Sequence, residues 1–244
     1  MLAAIINVIT SPKDGFDYIL KSLNWRHAFV PIFILCLLNI FSGLVMEEEV
    51  KVMNFERASE WINNSERMTD EQKDQAIKGM EDRMNANSSL MGRVFISDSI
   101  PPTFGSFPQW PIRIFFWSIF SLFIGNLLLG GGISLSTIFT ISSFGYLASV
   151  LEYIFKTGYQ FITGDLMFFT GLGVLNFGNQ GGFINSFLTG IDVFAFWRVY
   201  LIAVGFSLAY KKPFNFALGI LSGLWLFGLI FFSALGAFFA NMFA

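Results

Sequence analysis

Three stretches without charge govern what this chain can fold into. Nineteen uncharged residues separate His27 from Glu47, 38 separate Arg113 from Glu152, and the 32 residues after Lys212 carry no charge. A helix that crosses a bilayer needs about 20 predominantly apolar residues, so these stretches predict transmembrane helices. Composition agrees, since only 13% of residues are charged against about 25% in soluble domains. The charges are also segregated. Of 32 Asp, Glu, Lys and Arg residues, 19 fall between Glu47 and Asp98, which marks that segment as aqueous.

Several function classes drop out early. A net charge of −2 offers nothing to a nucleic acid. Cys36 is the single cysteine, so no intrachain disulfide can form. The apolar start, Met1 to Ile9, lacks a basic n-region and a small-residue cleavage site, and is expected to be retained. His27 is the only histidine, which excludes a two-histidine zinc helix. Gly205-Phe206-Ser207-Leu208-Ala209 departs from the nucleophile-elbow pattern at its last position. Gly130-Gly131-Gly132 lacks the Lys-Ser/Thr of a phosphate loop. A non-enzymatic protein with no cofactor is expected.

Along the chain, Ser11-Pro12-Lys13-Asp14 has the chemistry of a helix start. Phe16, Ile19, Leu20 and Leu23 follow it at helical spacing, with Lys13, Asp14, Asp17 and Lys21 on the other side. Residues 1–27 are therefore expected to form an amphipathic interfacial helix, lying flat on the bilayer or packed at the base of the bundle. Span one covers 28–46. Residues 47–111 form a small helical hairpin and a Pro-rich return. Phe55, Ala58, Trp61 and Ile62 make one apolar stripe; Ala76, Ile77, Met80 and Met84 make a second, after the capping box Thr69-Asp70-Glu71-Gln72. Pro101, Pro102, Pro108 and Pro111 mark the return. Asn63 and Asn87 head N-x-S tripeptides. Residues 112–244 hold spans two to five, at about Ile112–Leu129, Thr137–Lys156, Ile191–Tyr210 and Phe214–Phe239. The Gly-, Asn- and Phe-rich stretch 158–187 is too mixed for a full span and reads as interfacial or re-entrant. The fold class is all-α, a five-transmembrane-helix bundle.

Lys and Arg in short flanks set orientation. Lys13, Lys21 and Arg26 place the amino end in the cytoplasm, as Lys211 and Lys212 place the turn between spans four and five. Spans one to four are an even number, so the two placements agree. The carboxyl end then faces outward, and the hairpin is extracytoplasmic. A bacterial inner membrane is the expected location.

Two charges must enter the membrane. Only 12 uncharged residues separate Arg198 from Lys211, so span four contains Arg198. At a rise of ~1.5 Å per residue it lies roughly 20 Å from the cytoplasmic end, and Glu152 lies roughly 22 Å along span three. Matching depth suggests a Glu152–Arg198 pair. A Glu152–Lys156 pair on one helix, with Arg198 snorkelling outward past Asp192, is the alternative. Asp165 and Asp192 are read as outer-interface acids. Gly219 and Gly223 stand four apart in span five, a spacing that lets helices approach closely, either within the bundle or between copies. Asn39, Asn126 and Ser118 are candidate interhelical hydrogen-bond donors.

Taken together, Ser11-Pro12-Lys13-Asp14-x-Phe16 with Trp25, Met68-Thr69-Asp70-Glu71-Gln72, the triple glycine, Phe144-Gly145-Tyr146 and Ile191-Asp192-Val193-Phe194-Ala195-Phe196-Trp197 resemble, in order and spacing, the bacterial members of the Yip (Ypt-interacting protein) family. The resemblance covers nearly the whole chain. It implies a five-span bundle with a cytosolic amino end. Eukaryotic relatives act in Golgi and endoplasmic reticulum traffic and bind Rab GTPases. This chain lacks their long amino-terminal region and its Asp-Leu-Tyr-Gly-Pro motif, so Rab binding is not carried over, nor are any functional residues. The expected role is a membrane scaffold or organiser, with lipids and another membrane protein or a second copy as partners. The alternative is a transporter or channel for a lipid or small solute, with Glu152 and Arg198 lining a polar cavity and Gly171 to Gly182 as a gate. A third reading is a subunit whose site another chain completes.

Overall fold

The computed structural model describes residues 2–22, 24–45, 47–63, 65, 68–85, 109–163, 168–178 and 182–243. They form an all-α assembly with five helical segments long and apolar enough to cross a membrane: Trp25–Ser42, Trp110–Gly130, Leu135–Thr163, Val193–Tyr210 and Phe214–Phe239. Spans three and four make the middle, with 61% and 56% of their windows buried against 11% for span five at the edge.

The amino end differs from the single helix expected over 1–27. It comprises α1 (Leu2–Thr10), α2 (Pro12–Ser22) and a short 3-10 turn, Trp25–Ala28, leading into α3 (Phe29–Val45). Pro12 has no N–H to continue the α1 ladder and clashes with the carbonyl four residues back, so the chain bends at Ser11. Phe16 and Ile19 are buried and Leu20 is half-buried. Of the two readings of this stripe, its apolar face packs on the bundle, against span four. Leu23 lies outside the described residues.

The insert begins as expected. α4 (Glu47–Asn63) pairs with α5 (Asp70–Asn85). The Thr69 N–H donates to Gln72 Oε1 at 3.0 Å and the Gln72 N–H to Thr69 Oγ1 at 3.4 Å, which is the capping box. Ile62 is buried, and Phe55, Ala58, Ala76, Ile77 and Met80 are half-buried. The side chains of Trp61 and Met84, together with Asn87, Pro101, Pro102 and Pro108, lie outside the described residues. Pro111 sits in the opening turn of α6 (Gln109–Gly125), where a missing N–H costs nothing. Span two therefore starts before Ile112. It closes in a π turn, Asn126–Gly130, ahead of the glycine break.

Span three is two helices, α7 (Leu135–Gly145) and α8 (Ala148–Thr163). The expectation of one helix over 137–156 missed both the break and the extra length. At the break the ladder tightens to three-residue bonds, from the Leu147 N–H to Phe144 O at 3.1 Å and the Ser149 N–H to Tyr146 O at 2.9 Å. Gly145, a poor helix former, sits at this point. The stretch that follows folds into a 3-10 turn, Leu172–Leu175, and α9 (Phe183–Gly190), which packs on span five. No full span occurs there among the described residues. α10 (Val193–Tyr210) and α11 (Phe214–Phe243) are joined by the Lys211–Pro213 turn.

The register between spans can be read from their polar contacts. Ser143 Oγ donates to Ala28 O, Tyr153 Oη donates to Asn39 Oδ1 at 2.9 Å, and Ser42 Oγ meets Thr157 Oγ1 at 2.5 Å. The sequence separation is 115, 114 and 115 residues, so spans one and three run parallel. Ascending span three, Ile141, Gly145, Ser149 and Lys156 meet Gly205, Ile202, Arg198 and Asp192 in descending order. Spans three and four are antiparallel. Their crossing is close because each offers a glycine to the other's isoleucine. A Cβ on Gly145 would collide with Ile202 Cγ1; one on Gly205 would collide with Ile141 Cγ2 and stand 3.1 Å from Phe16 Cδ1.

Overpacking a tight site costs typically about 1–3 kcal/mol. Gly205→Leu is expected to destabilise the bundle by that amount in thermal or SDS unfolding of the detergent-solubilised protein. Gly219→Ala, at a position with no atom within 4 Å of its Cβ site, should stay within about 0.5 kcal/mol of the parent.

Candidate functional site

Above the glycine crossing, spans three and four bring their charges together. Glu152 and Lys156 stand one turn apart on α8, with Ser149 one turn before them. Such neighbours share a helix face. Asp192 caps α10, its Oδ1 accepting from the Ala195 N–H at 2.7 Å. Arg198 follows nearly two turns into that helix, on the side that faces α8.

The Glu152 carboxylate is shared. Its Oε1 accepts from Lys156 Nζ at 2.5 Å, and its Oε2 lies 3.8 Å from Arg198 Nη1. Arg198 Nη1 donates to Ser149 Oγ at 2.7 Å. Its guanidinium also lies 5.0 Å from the Tyr146 ring centroid, at the break in span three. Lys156 Nζ reaches Asp192 Oδ2 at 3.5 Å. The side chains of Arg198 and Asp192 are each 13% exposed, that of Glu152 19% and that of Lys156 27%. Next to the cluster Trp110 packs edge-on against Tyr146 and Tyr153, at 5.9 and 5.8 Å. Tyr153 continues to Asn39 of span one.

The result is a neutral set of two acids and two bases, tied to a third helix through Tyr153. Charges withdrawn from water are tolerated when each has a partner, and here each has one. Arg198 gains a hydroxyl and an aromatic face in addition. Among the described residues no group of three His, Cys, Asp or Glu side chains could hold a metal ion. An open apolar groove of about 460 Å³ lies away from the cluster, along Ile119, Leu122, Phe123, Asn126 and Leu127 of span two.

The structure unites the two readings of Glu152. It contacts both Lys156, more closely, and Arg198, across to span four. Arg198 turns towards span three instead of snorkelling past Asp192. Asp192 does more than face an interface, since it both caps a helix and pairs with Lys156. Asp165 lies outside the described residues. The sequence places Lys156 at the end of span three as a local partner of Glu152; the structure keeps that local contact, adds Asp192 of span four, and continues α8 to Thr163. Tyr146 stands in the Phe144-Gly145-Tyr146 motif but carries no sequence signal for contact with Arg198, and Ser149 carries none.

Asn39 and Asn126 do bridge helices: each accepts a tyrosine hydroxyl on Oδ1, from Tyr153 and Tyr210 at 2.9 Å, and the Asn126 amide also donates to Ile133 O at 3.3 Å. Ser118 is not interhelical; its hydroxyl donates back to Ile114 O at 2.6 Å. Serine commonly satisfies itself this way inside a helix. Gly219 and Gly223 make no close approach to the described residues, because span five packs on span four through another face that buries Ala217 and Leu221.

Removing one member of a paired buried set leaves an uncompensated charge. Arg198→Met is expected to cost about 2–4 kcal/mol. Glu152→Gln combined with Arg198→Met should recover more than half of that loss in a double-mutant cycle read by unfolding in detergent. Additive losses would show that the two side chains do not share one network. No family model, curated protein or solved structure matches the chain.

Proposed function

We propose that this chain is a non-enzymatic membrane scaffold or organiser of the Yip-like kind, working through helix packing and membrane contact. The observation that carries this reading is the closure of the intramembrane charges on one another. Glu152, Lys156, Asp192 and Arg198 partner each other across spans three and four, so the cluster serves as a clamp. A substrate site would instead hold a charge in reserve for its ligand. The order of the Yip-like motifs supports the same class. Lys13, Lys21, Arg26, Lys211 and Lys212 support a cytoplasmic amino end, in a bacterial inner membrane.

One observation favours the second reading, a transporter or channel for a lipid or small solute. Span three is interrupted at Tyr146 and Leu147, beside Arg198. Interrupted helices mark the binding sites of many transporters, and opening of the break would expose the cluster.

Reconstitution separates the two. As a scaffold, the purified protein in liposomes moves neither fluorescent lipid between leaflets nor small charged solutes across the bilayer above the protein-free rate. Flux that Glu152→Gln abolishes while the unfolding midpoint holds would replace the scaffold with the transporter.

A further inference from the structure

One end of the bundle carries a set of cations that the clamp does not use. α2 packs on span four with Phe16 against Gly205. Gly205 lies five residues, about 8 Å by helical rise, inside the end of span four at Tyr210. The amino-terminal helices are thereby held beside the Lys211–Lys212 turn. Lys13, Lys21, Arg26, Lys211 and Lys212 are all exposed there. The acids of the same region are Asp14 and Asp17, and Asp17 is taken by Lys21 at 2.6 Å. This end therefore has five cations against two acids, whereas residues 47–98 have seven cations against twelve acids.

α1 lies at the same end, between α2 and α7, and has no charged residue. Ala4 and Val8 are fully buried, while Leu2 is 72% exposed and Ile6 50% exposed on the outer side. In water that face would be a liability. At the edge of a bilayer it is an anchor, since an in-plane helix buries its apolar face about 5–10 Å below the headgroups.

We infer that this end is an anionic-phospholipid collar. α1 seats Leu2 and Ile6 among the acyl chains of the adjoining leaflet. Lys13, Arg26, Lys211 and Lys212 hold the phosphates of acidic headgroups around the bundle. The complementarity is both apolar and electrostatic: an uncharged helix face next to unpaired lysines suits a charged lipid surface, and a soluble acidic partner would leave Leu2 and Ile6 in water. Basic residues at such a surface are worth about a fivefold change in association each, and salt weakens their effect.

The test uses the full chain in nanodiscs of phosphatidylcholine alone or mixed equally with phosphatidylglycerol. A Cys36→Ser background with Ile6→Cys takes an environment-sensitive fluorophore. Its emission should be blue-shifted and quenched by nitroxides on the lipid chains. In parallel, spin-labelled phosphatidylglycerol should be retained over spin-labelled phosphatidylcholine. The triple variant Lys13→Gln, Lys211→Gln, Lys212→Gln should lose most of that preference, as should high salt. Lys78→Gln, in the insert, should leave it unchanged. A label at position 6 that stays in water overturns the anchor. Equal retention of the two lipids, or a loss caused equally by Lys78→Gln, overturns the collar.

Discussion

The crossing of spans three and four is the constraint to which the rest of the bundle is referred. Gly145 and Gly205 each receive an isoleucine from the opposite helix, and that exchange sets how near the two backbones lie. Separation and register are then fixed one to three turns further up, where Ser149, Glu152 and Lys156 meet Arg198 and Asp192. A wider crossing would part those charges in a solvent that cannot hydrate them. Below the crossing, Phe16 enters the same space at Gly205, so the seat of the amino-terminal helices depends on it as well.

Lipid chains are as apolar as leucine, so helices in a bilayer gain little by hiding hydrophobic surface from it. Close packing and polar contacts hold them together instead. The seam between spans one and three follows from this. Ser143, Tyr153 and Thr157 reach span one along the length of the helix, and buried Thr140, Ser142 and Ser149 share the interior. Each such bond is worth only about 0.6 kcal/mol on average. Three at a nearly constant offset nevertheless specify a direction and a register, which no single bond could do.

The spans were legible because length and charge decide them. Phe214–Phe239 and the end of span four at Tyr210 agree between sequence and structure, as does the capping box at Thr69. Less legible were features that arise between helices. The break after Gly145 has no proline to announce it; it goes with close packing against Ile202, a residue 57 positions away. The role of Lys156 depends on Asp192 of another span. The amphipathic stripe from Phe16 to Leu20 revealed which side turns inward, yet Pro12 also divides the segment, and that consequence needed the backbone. Spacing alone did not say which neighbour Gly219 and Gly223 face: within this chain the adjoining helix packs on another face of span five, through Ala217 and Leu221.

The distribution of charge ties the fold to its surroundings. Outside the basic end and the acidic insert, the remaining charges are Arg113, Lys156 and Arg198 against Glu152, Asp165 and Asp192, which balance. The two polarised regions are then left to set orientation. Positive flanks resist translocation while long loops cross largely regardless of charge, so a neutral cluster such as that of Glu152, Lys156, Asp192 and Arg198 adds no orientation bias of its own. Neutrality also lets the cluster reside at depth, since a set with an odd charge would draw water or an ion into the bundle. Neutrality and pairing thus go together in the cluster, where each of the four charges stands within ion-pair distance of an opposite one.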